Sequence, residues 1–436
     1  MNNIYNNLLN NKKPICVWGT GYIGLSTMAF FSQKKIKACG YDVDRRLVKN
    51  LSRGFIKNDD FKKWLGFEIK PYIKKRKLSF KSKLSEIEKI DPEVNFVCIP
   101  TEKNGKPLMN ILQKTIKNIK KVSSSGIIII ESTLTPGTAD QIIQKYLKKE
   151  ITNKKFLFAV APRRDWFVDG TKNLVNMDRV FGGINKESSF LCKKILGIVC
   201  KKLHKASSHQ VAEMVKSFEN CYRHVDIALA NQLSLAYPKD NIRETLKLVG
   251  TKWNIGTFYP GFGSGGYCIP LSSKYVLSGS LKKKSLGILQ QAIKTDSQIN
   301  ILIANSVIKK KCKKVGILGL SYKSNLKVST QSPIIPFIKK LKSRKIAVKM
   351  FDPYFSRKEI KKIANVNTFN FPKELSSFDC IIYSVNHDSL AKNKDKILKN
   401  LKCKYFIDNT GEFQNNLNIL KEKKINYILS GEKNWI

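Results

Sequence analysis

The sequence predicts an α/β fold: two parallel-sheet domains joined by a long central helix. Three observations predict it. Near the N-terminus "KPICVWGTGYIGLS" reads as a short apolar strand, a glycine turn and a helix. Near Lys311 the same rhythm restarts in "KCKKVGILGLSYKSN". Between them, roughly Gln210 to Ala236 keeps helical periodicity with few breakers. Strand–helix alternation on both sides of that helix argues for two parallel sheets, each Rossmann-like.

A chain of 436 residues is too long for one ordinary core, and two or three domains are expected. The pattern divides it into residues 1–205, a central helical part over 206–310, and a last sheet domain over 311–436. Hydrophobic content of 42% is globular. The opening "MNNIYNNLLNNKK" lacks the apolar core and cleavage site of a signal peptide, and the longest aliphatic run, "GIIIIE", is far short of a membrane span. Ten cysteines without CxxC pairs and four isolated histidines read as a reduced, cytoplasmic protein with no metal site.

The formal charge of +47 is nearly all lysine, spread along the whole length. Nucleic-acid readers instead cluster arginine with aromatics on one element, so no specific nucleic-acid partner is expected. Such a field favours anionic ligands and a weak electrostatic association with an anionic membrane surface.

In the first domain, Gly19, Gly21 and Gly24 form G-x-G-x-x-G between a strand and a helix, with Tyr22 and Ile23 inside the motif. The first glycine permits the turn, the second admits a pyrophosphate, and the third packs helix on strand. A second strand, "IKACGYDVD", ends at Asp42, eighteen residues after Gly24, where an acid bonds both ribose hydroxyls and selects NAD over NADP. "EVNFVCIPTEKNG" and "GIIIIESTLTPGT" are two further strands, ending near Thr101 and Thr133. Ligands of open parallel sheets lie at the carboxyl ends of strands, so both threonines are assigned to the cofactor crevice, with helix capping as the bland alternative.

On the central helix Lys216 and Asn220 stand at i, i+4 on one face, a pair that carries no weight alone. "GFGSGGYCIP" sets Cys268 behind a run of glycines, as a thiol that must meet a bulky ligand requires. In the last domain "IAVKMFDPYF" ends a strand at Asp352, while Gly316 and Gly319 do not complete the dinucleotide pattern. That half suits another nucleotide-like ligand.

Taken in order, these blocks resemble the UDP-glucose/GDP-mannose dehydrogenase family, the NAD-dependent nucleotide-sugar 6-dehydrogenases, over essentially the whole length. "GTGYIGL" and "GYDVD" are similar to its cofactor fingerprint, and "ESTLTPGT" to its S-T-x-x-P-G-T segment. "AEMVKSFEN" is similar to its A-E-x-x-K-x-x-x-N helix, "GFGSGGYCIP" to its G-x-G-x-G-G-x-C loop, and "LGLSYKSN" to its nucleotide-binding domain. The resemblance implies four-electron oxidation of a sugar C6 hydroxyl by two NAD+ in succession, through a thiohemiacetal and a thioester on Cys268. It implies that Lys216 stabilises alkoxide charge, that Asn220 orients substrate or water, and that Thr133 holds water or a proton relay. It also implies that Tyr259, Gly263, Gly265, Gly266 and Lys323 bind the nucleotide sugar, that the partner is a homodimer mate on the central helix, and that the product feeds surface polysaccharide. The "GGYCIP" loop leans toward N-acetylhexosamine substrates.

Three places depart from the family pattern. "VAPRRDWF" has Arg163 where a glutamate base is expected, "CIPLSSKY" has Leu271 and Ser272 where an aspartate is common, and "KSNLKVSTQSP" lacks D-D-x-R. Losing a positioned base costs about 10²–10⁴ in rate. Asp165, two residues beyond Arg163, is the expected substitute, with a turn cap as the alternative role. Arg163 holding an acidic sugar group is another. The rival functions are a two-electron or slow-hydrolysis variant, and a non-catalytic nucleotide-sugar-binding scaffold.

Overall fold

The computed structural model describes residues 2–57, 59–103, 105–167 and 169–436. The chain forms two compact units, one running up to Glu219 and including Lys274–Leu281, the other comprising Asn220–Ser273 and Lys282–Ile436.

The first unit holds strands β1 (Ile15–Trp18), β2 (Ala38–Tyr41), β3 (Leu78–Lys81), β4 (Val94–Val97), β7 (Gly126–Ile130), β8 (Phe156–Val160), β9 (Arg179–Gly183) and β10 (Leu203–Lys205), plus a small hairpin of β5 (Glu102–Lys103) and β6 (Lys106–Pro107). The sheet order is β10-β9-β8-β7-β4-β1-β2-β3. Its strands read as unbroken apolar runs because both faces are covered. In β7, Ile127 and Ile129 enter one core while Ile128 and Ile130 enter the other, as the two-residue period of a strand demands. One pairing differs from the parallel expectation: β8 and β9 run antiparallel. Among the described residues the segment between them carries no crossover helix, and without one the chain returns in the opposite direction.

The second unit holds β11 (Lys314–Leu318), β12 (Ala347–Phe351), β13 (Asn367–Thr368), β14 (Cys380–Tyr383), β15 (Tyr405–Asp408) and β16 (Asn426–Leu429), ordered β13-β12-β11-β14-β15-β16. Every neighbouring pair in it is parallel. In each sheet the first strand lies between the second and a later one, which creates the switch point where doubly wound sheets bind ligands.

Two helices supply residues to both units: the central helix His209–Ala236 and the cysteine helix Ile269–Gly279. The central helix buries a polar face. Glu213, Ser217, Asn220, His224 and Asn231 are all nearly inaccessible and recur at three-, four- and seven-residue steps. Buried polar groups need partners, and each finds them within its own unit.

Candidate active site

At the end of β1, Gly19 adopts φ +90°, and a Cβ there would lie 2.5 Å from the Cys98 carbonyl oxygen beyond β4. Gly24 is equally constrained, since a Cβ would collide with the Gly19 carbonyl. Gly21 differs: nothing lies within 4 Å of the Cβ it lacks. The protein leaves that space open, which is what the approach of a pyrophosphate to the backbone requires. Gly21 also begins the helix Tyr22–Gln33 with no side-chain cap, leaving first-turn N–H groups for a phosphate. Tyr22 stacks on Phe61 at 4.8 Å, and Ile23 packs on the core beneath. Asp42 accepts from the Thr20 N–H at 2.8 Å and the Thr20 hydroxyl at 3.1 Å while staying half-exposed. These residues fit a dinucleotide: a glycine cradle, free helix donors and a fixed acid for a ribose.

Thr101 and Thr133 are brought together, the Thr101 hydroxyl donating to the Thr133 carbonyl at 2.6 Å. Tyr275 donates to Thr101 in turn, so Thr101 is a buried link and caps no helix. The turn that follows is gripped by the central helix. Glu213 accepts from the N–H groups of Gly137 and Ala139, both at 2.8 Å, and Ser217 donates to the Leu134 carbonyl at 3.3 Å. Burial pushes the Glu213 carboxyl up to about 7, against the two backbone donors that pull it down.

Further along the helix the same face grips the segment around Cys268. Asn231 accepts from the Gly261 N–H at 2.9 Å, and Asn220 donates to the Ser272 hydroxyl at 2.9 Å. His224 contacts the Ser273 hydroxyl at 2.8 Å. Lys216, one turn before Asn220, lies 3.9 Å from Glu219. Cys268 caps the cysteine helix, its carbonyl accepting from the Ser272 N–H at 3.2 Å. It is exposed, whereas the other nine cysteines are buried or half-buried.

Lys323 shares its surroundings, with Arg223 near Lys323. Burial, then the charge of Arg223, push the Lys323 ammonium down, and Cys268 pulls it the other way. Burial and Cys268 push the Tyr322 phenol up to about 12. Arg223 was not singled out from sequence, though it continues the 216–220 face by three residues and that spacing could have found it. The glycines expected to admit a hexose are occupied by the protein itself. A Cβ on Gly263 would lie 2.6 Å from Asp296, one on Gly265 2.5 Å from Tyr322 Cβ, and one on Gly266 2.5 Å from the Tyr322 ring. Tyr259 lies against the Arg243 guanidinium at 4.3 Å, which also bonds the Thr410 carbonyl.

Comparison with known proteins bears on this arrangement. Three models of the UDP-glucose/GDP-mannose dehydrogenase family match in order: the NAD binding domain at residues 13–200, the central domain at 210–301 and the UDP binding domain at 316–415. The chain belongs to the UDP-glucose/GDP-mannose dehydrogenase family. It is an NAD-dependent nucleotide-sugar dehydrogenase. The UDP-N-acetyl-D-mannosamine dehydrogenase of Methanocaldococcus jannaschii is 30% identical over 90% of each chain. The UDP-N-acetyl-D-glucosamine 6-dehydrogenase of Pseudomonas aeruginosa is 27% identical over 86% of this chain and 90% of its own. The solved UDP-D-ManNAc dehydrogenase of Pyrococcus horikoshii superposes with a TM-score of 0.82 at 25% identity, covering 97% of this chain and all of the other. Among the described residues no helix is long and apolar enough to cross a membrane.

Within this nucleotide-sugar dehydrogenase, the position of the family's glutamate base is turned inward. Arg163 is 4% exposed and donates to Ser26 and Thr27 of the cofactor helix and to the Ile23 carbonyl. It also pairs with both oxygens of Asp165, at 2.6 and 2.8 Å. Glu131 completes the cluster, 3.5 Å from Arg163 and 2.5 Å from Arg179. Two guanidiniums and two carboxylates thus neutralise one another in a space closed to solvent. Arg163 is committed to protein partners, which removes the reading in which it holds an acidic sugar group. Asp165, expected as substitute base, has both oxygens engaged by Arg163 and almost no exposure, an environment suited to an ion pair. Ser272, in the place of the family's aspartate, is the partner of Asn220.

Proposed function

We propose that the protein oxidises the C6 hydroxyl of a UDP-N-acetylhexosamine to the uronic acid, with Cys268 as covalent nucleophile. The observation that carries this reading is the company of Cys268, an exposed thiol at a helix start with the Lys323 ammonium close enough to interact with it. A cation beside a thiol favours the thiolate, the form that attacks an aldehyde carbon. The N-acetylhexosamine preference is supported by what the relatives are named for, mannosamine and glucosamine derivatives.

NAD+, when bound, accepts a hydride in each of the two oxidations. Lys216 stabilises the alkoxide that develops at C6, and Thr133 passes the proton on. The Cys268 sulfur then adds to the aldehyde carbon, and the resulting thiohemiacetal is oxidised to a thioester. Water attacks the thioester carbon, the carbon–sulfur bond breaks, and the carboxylate leaves as the thiol is restored. Asn220, held against Ser272, steadies the first turn of the cysteine helix through both halves. Tyr259 and Lys323 bind the nucleotide sugar. The product is an activated glycosyl donor, fit for building a surface polysaccharide. Ten unpaired cysteines accord with a reducing, cytoplasmic setting.

A homodimer through the central helix is part of the proposal. Val211, Phe218, Tyr222 and Leu229 stand exposed on it at steps of seven, four and seven residues, an apolar stripe suited to a second helix.

A second reading has its own observation: with Arg163 buried and Ser272 in the aspartate's place, no carboxylate of the family's hydrolytic pair remains. That favours a slow last step. One experiment separates the two. Purified protein, NAD+ and UDP-N-acetylmannosamine or UDP-N-acetylglucosamine are mixed, and NADH is followed together with intact protein mass. Two NADH per sugar and a free uronic acid support full turnover. A burst that leaves a sugar adduct on Cys268 supports the slow variant, and no NADH with either sugar refutes both.

A further inference from the structure

The mechanism leaves unused a buried chain of polar groups behind the cysteine loop. His224 on the central helix is 1% exposed. One ring nitrogen, Nδ1, lies 2.8 Å from the Ser273 hydroxyl, and the other, Nε2, lies 3.5 Å from Asp296 Oδ2. Among the described residues Nε2 makes no hydrogen bond, so the Ser273 hydroxyl is the hydrogen-bond partner of the ring and the Asp296 carboxylate faces its other edge. Asp296, on the helix Gly287–Lys309, accepts in turn from the Ser264 N–H at 2.5 Å and the Ser264 hydroxyl at 2.7 Å. Ser264 precedes Cys268 by four residues and Ser273 follows it by five.

One end of the loop that presents the thiol bonds the imidazole through Ser273, and the other bonds the Asp296 carboxylate that faces the same ring. We infer that His224 is a positioning residue for Cys268: through Ser273 on one side and Asp296–Ser264 on the other, it fixes where the sulfur stands when it attacks the aldehyde carbon. The inference rests on the reading of Cys268 as nucleophile. Gly263 fits the same device, because a side chain there would displace the Asp296 carboxylate.

Misplacing a reacting group by an ångström costs on the order of 10²-fold in rate. His224→Phe keeps the ring shape and loses the Ser273 bond and the polar edge facing Asp296, whereas His224→Gln keeps one acceptor and one donor. In the full-length protein with NAD+, His224→Phe is expected to lower kcat for acid formation about 10–100-fold with KM for NAD+ within about two-fold of wild type. Carbamidomethylation of Cys268 by iodoacetamide, read by intact mass without substrate, is expected to change rate at least three-fold. His224→Gln is expected to return both readouts to within about three-fold. Asp296→Asn is expected to resemble His224→Phe, and the double variant to be no worse than either single one.

Wild-type kcat and alkylation rate in His224→Phe overturn the proposal. So does equal failure of the Phe and Gln variants accompanied by a fall in Tm, which is a folding defect alone. Failure of the underlying reading is distinguishable: Cys268→Ser would still make uronic acid, while the alkylation rates report on the loop regardless.

Discussion

Asp42 and Asp352 make the same hydrogen bond in different sheets. Each stands just past the second strand of its sheet and accepts from the residue after a positive-φ glycine: Thr20 N–H at 2.8 Å for Asp42, Leu320 N–H at 2.7 Å for Asp352. The glycines match as well, Gly19 N–H bonding the Tyr41 carbonyl and Gly319 N–H the Phe351 carbonyl, both at 2.8 Å. The difference is the far side of each acid. Asp42 is half-exposed, whereas Asp352 is buried with His387 at 3.3 Å, whose ring lies 4.7 Å from that of Tyr354. In the second unit the protein's own imidazole thus takes a place that in the first is open.

The two acids are therefore expected to fail differently. Asp42→Ala should raise KM for NAD+ about 10–100-fold, reduce the preference over NADP+, and leave Tm nearly unchanged. Asp352→Asn should leave KM for NAD+ alone and destabilise the protein. Burial pushes the Asp352 carboxyl up, but His387 and its backbone donors win and hold it below the usual range. Its stabilisation is thus present above the ordinary aspartate pKa and lost as pH falls through the lowered value. Urea melts of both variants from pH 3 to 7 check this.

Glu213 carries the opposite sign. Its folded pKa is raised to about 7, so the stability it contributes is complete below the ordinary glutamate range and is lost as pH rises through about 7. The swing is about 3 kcal/mol at most. Glu213→Gln should flatten the decline in unfolding free energy between pH 5 and 8, measured by urea titration.

Restoring a glutamate at position 163 is expected to harm the protein without helping hydrolysis. Arg163→Glu would place a third carboxylate beside Asp165 and Glu131, leaving buried charge unpaired at a cost of about 3–5 kcal/mol. Arg163→Met combined with Asp165→Leu removes charges of both signs and should recover much of that loss. Thermal melts of the two variants decide it.

Exposure makes Cys268 the expected single fast target of iodoacetamide. Burial pushes the Cys16, Cys98 and Cys192 thiols up and Cys200 to about 11, so these react far more slowly. One adduct by intact mass, located by peptide mapping and accompanied by loss of NADH production, is the expected outcome.

Much of this was legible in the sequence because it is local. The strand–glycine–helix pattern, the acid closing the second strand and the length of the central helix are written in a few adjacent residues each. What was not legible depends on partners far along the chain. Arg163 turns inward because Ser26, Thr27 and Glu131 await it. The glycines before Cys268 are small because Tyr322 and Asp296 fill their space. Glu213, Ser217, His224 and Asn231 are polar and would be taken for a solvated face, yet they are buried. Only the fold reveals that each has a backbone or hydroxyl partner.

That buried face also sets a rule about length. An α-helix turns about 100° per residue, so one residue inserted between Ser217 and Asn220 would swing every later side chain a quarter-turn or more away from its partner. A seven-residue insertion would restore the phase but shift it about 10 Å along the axis. Side chains of the central helix outside its buried face and its apolar stripe can therefore be exchanged while its residue count stays fixed. Loops beyond its ends are free to grow and shrink.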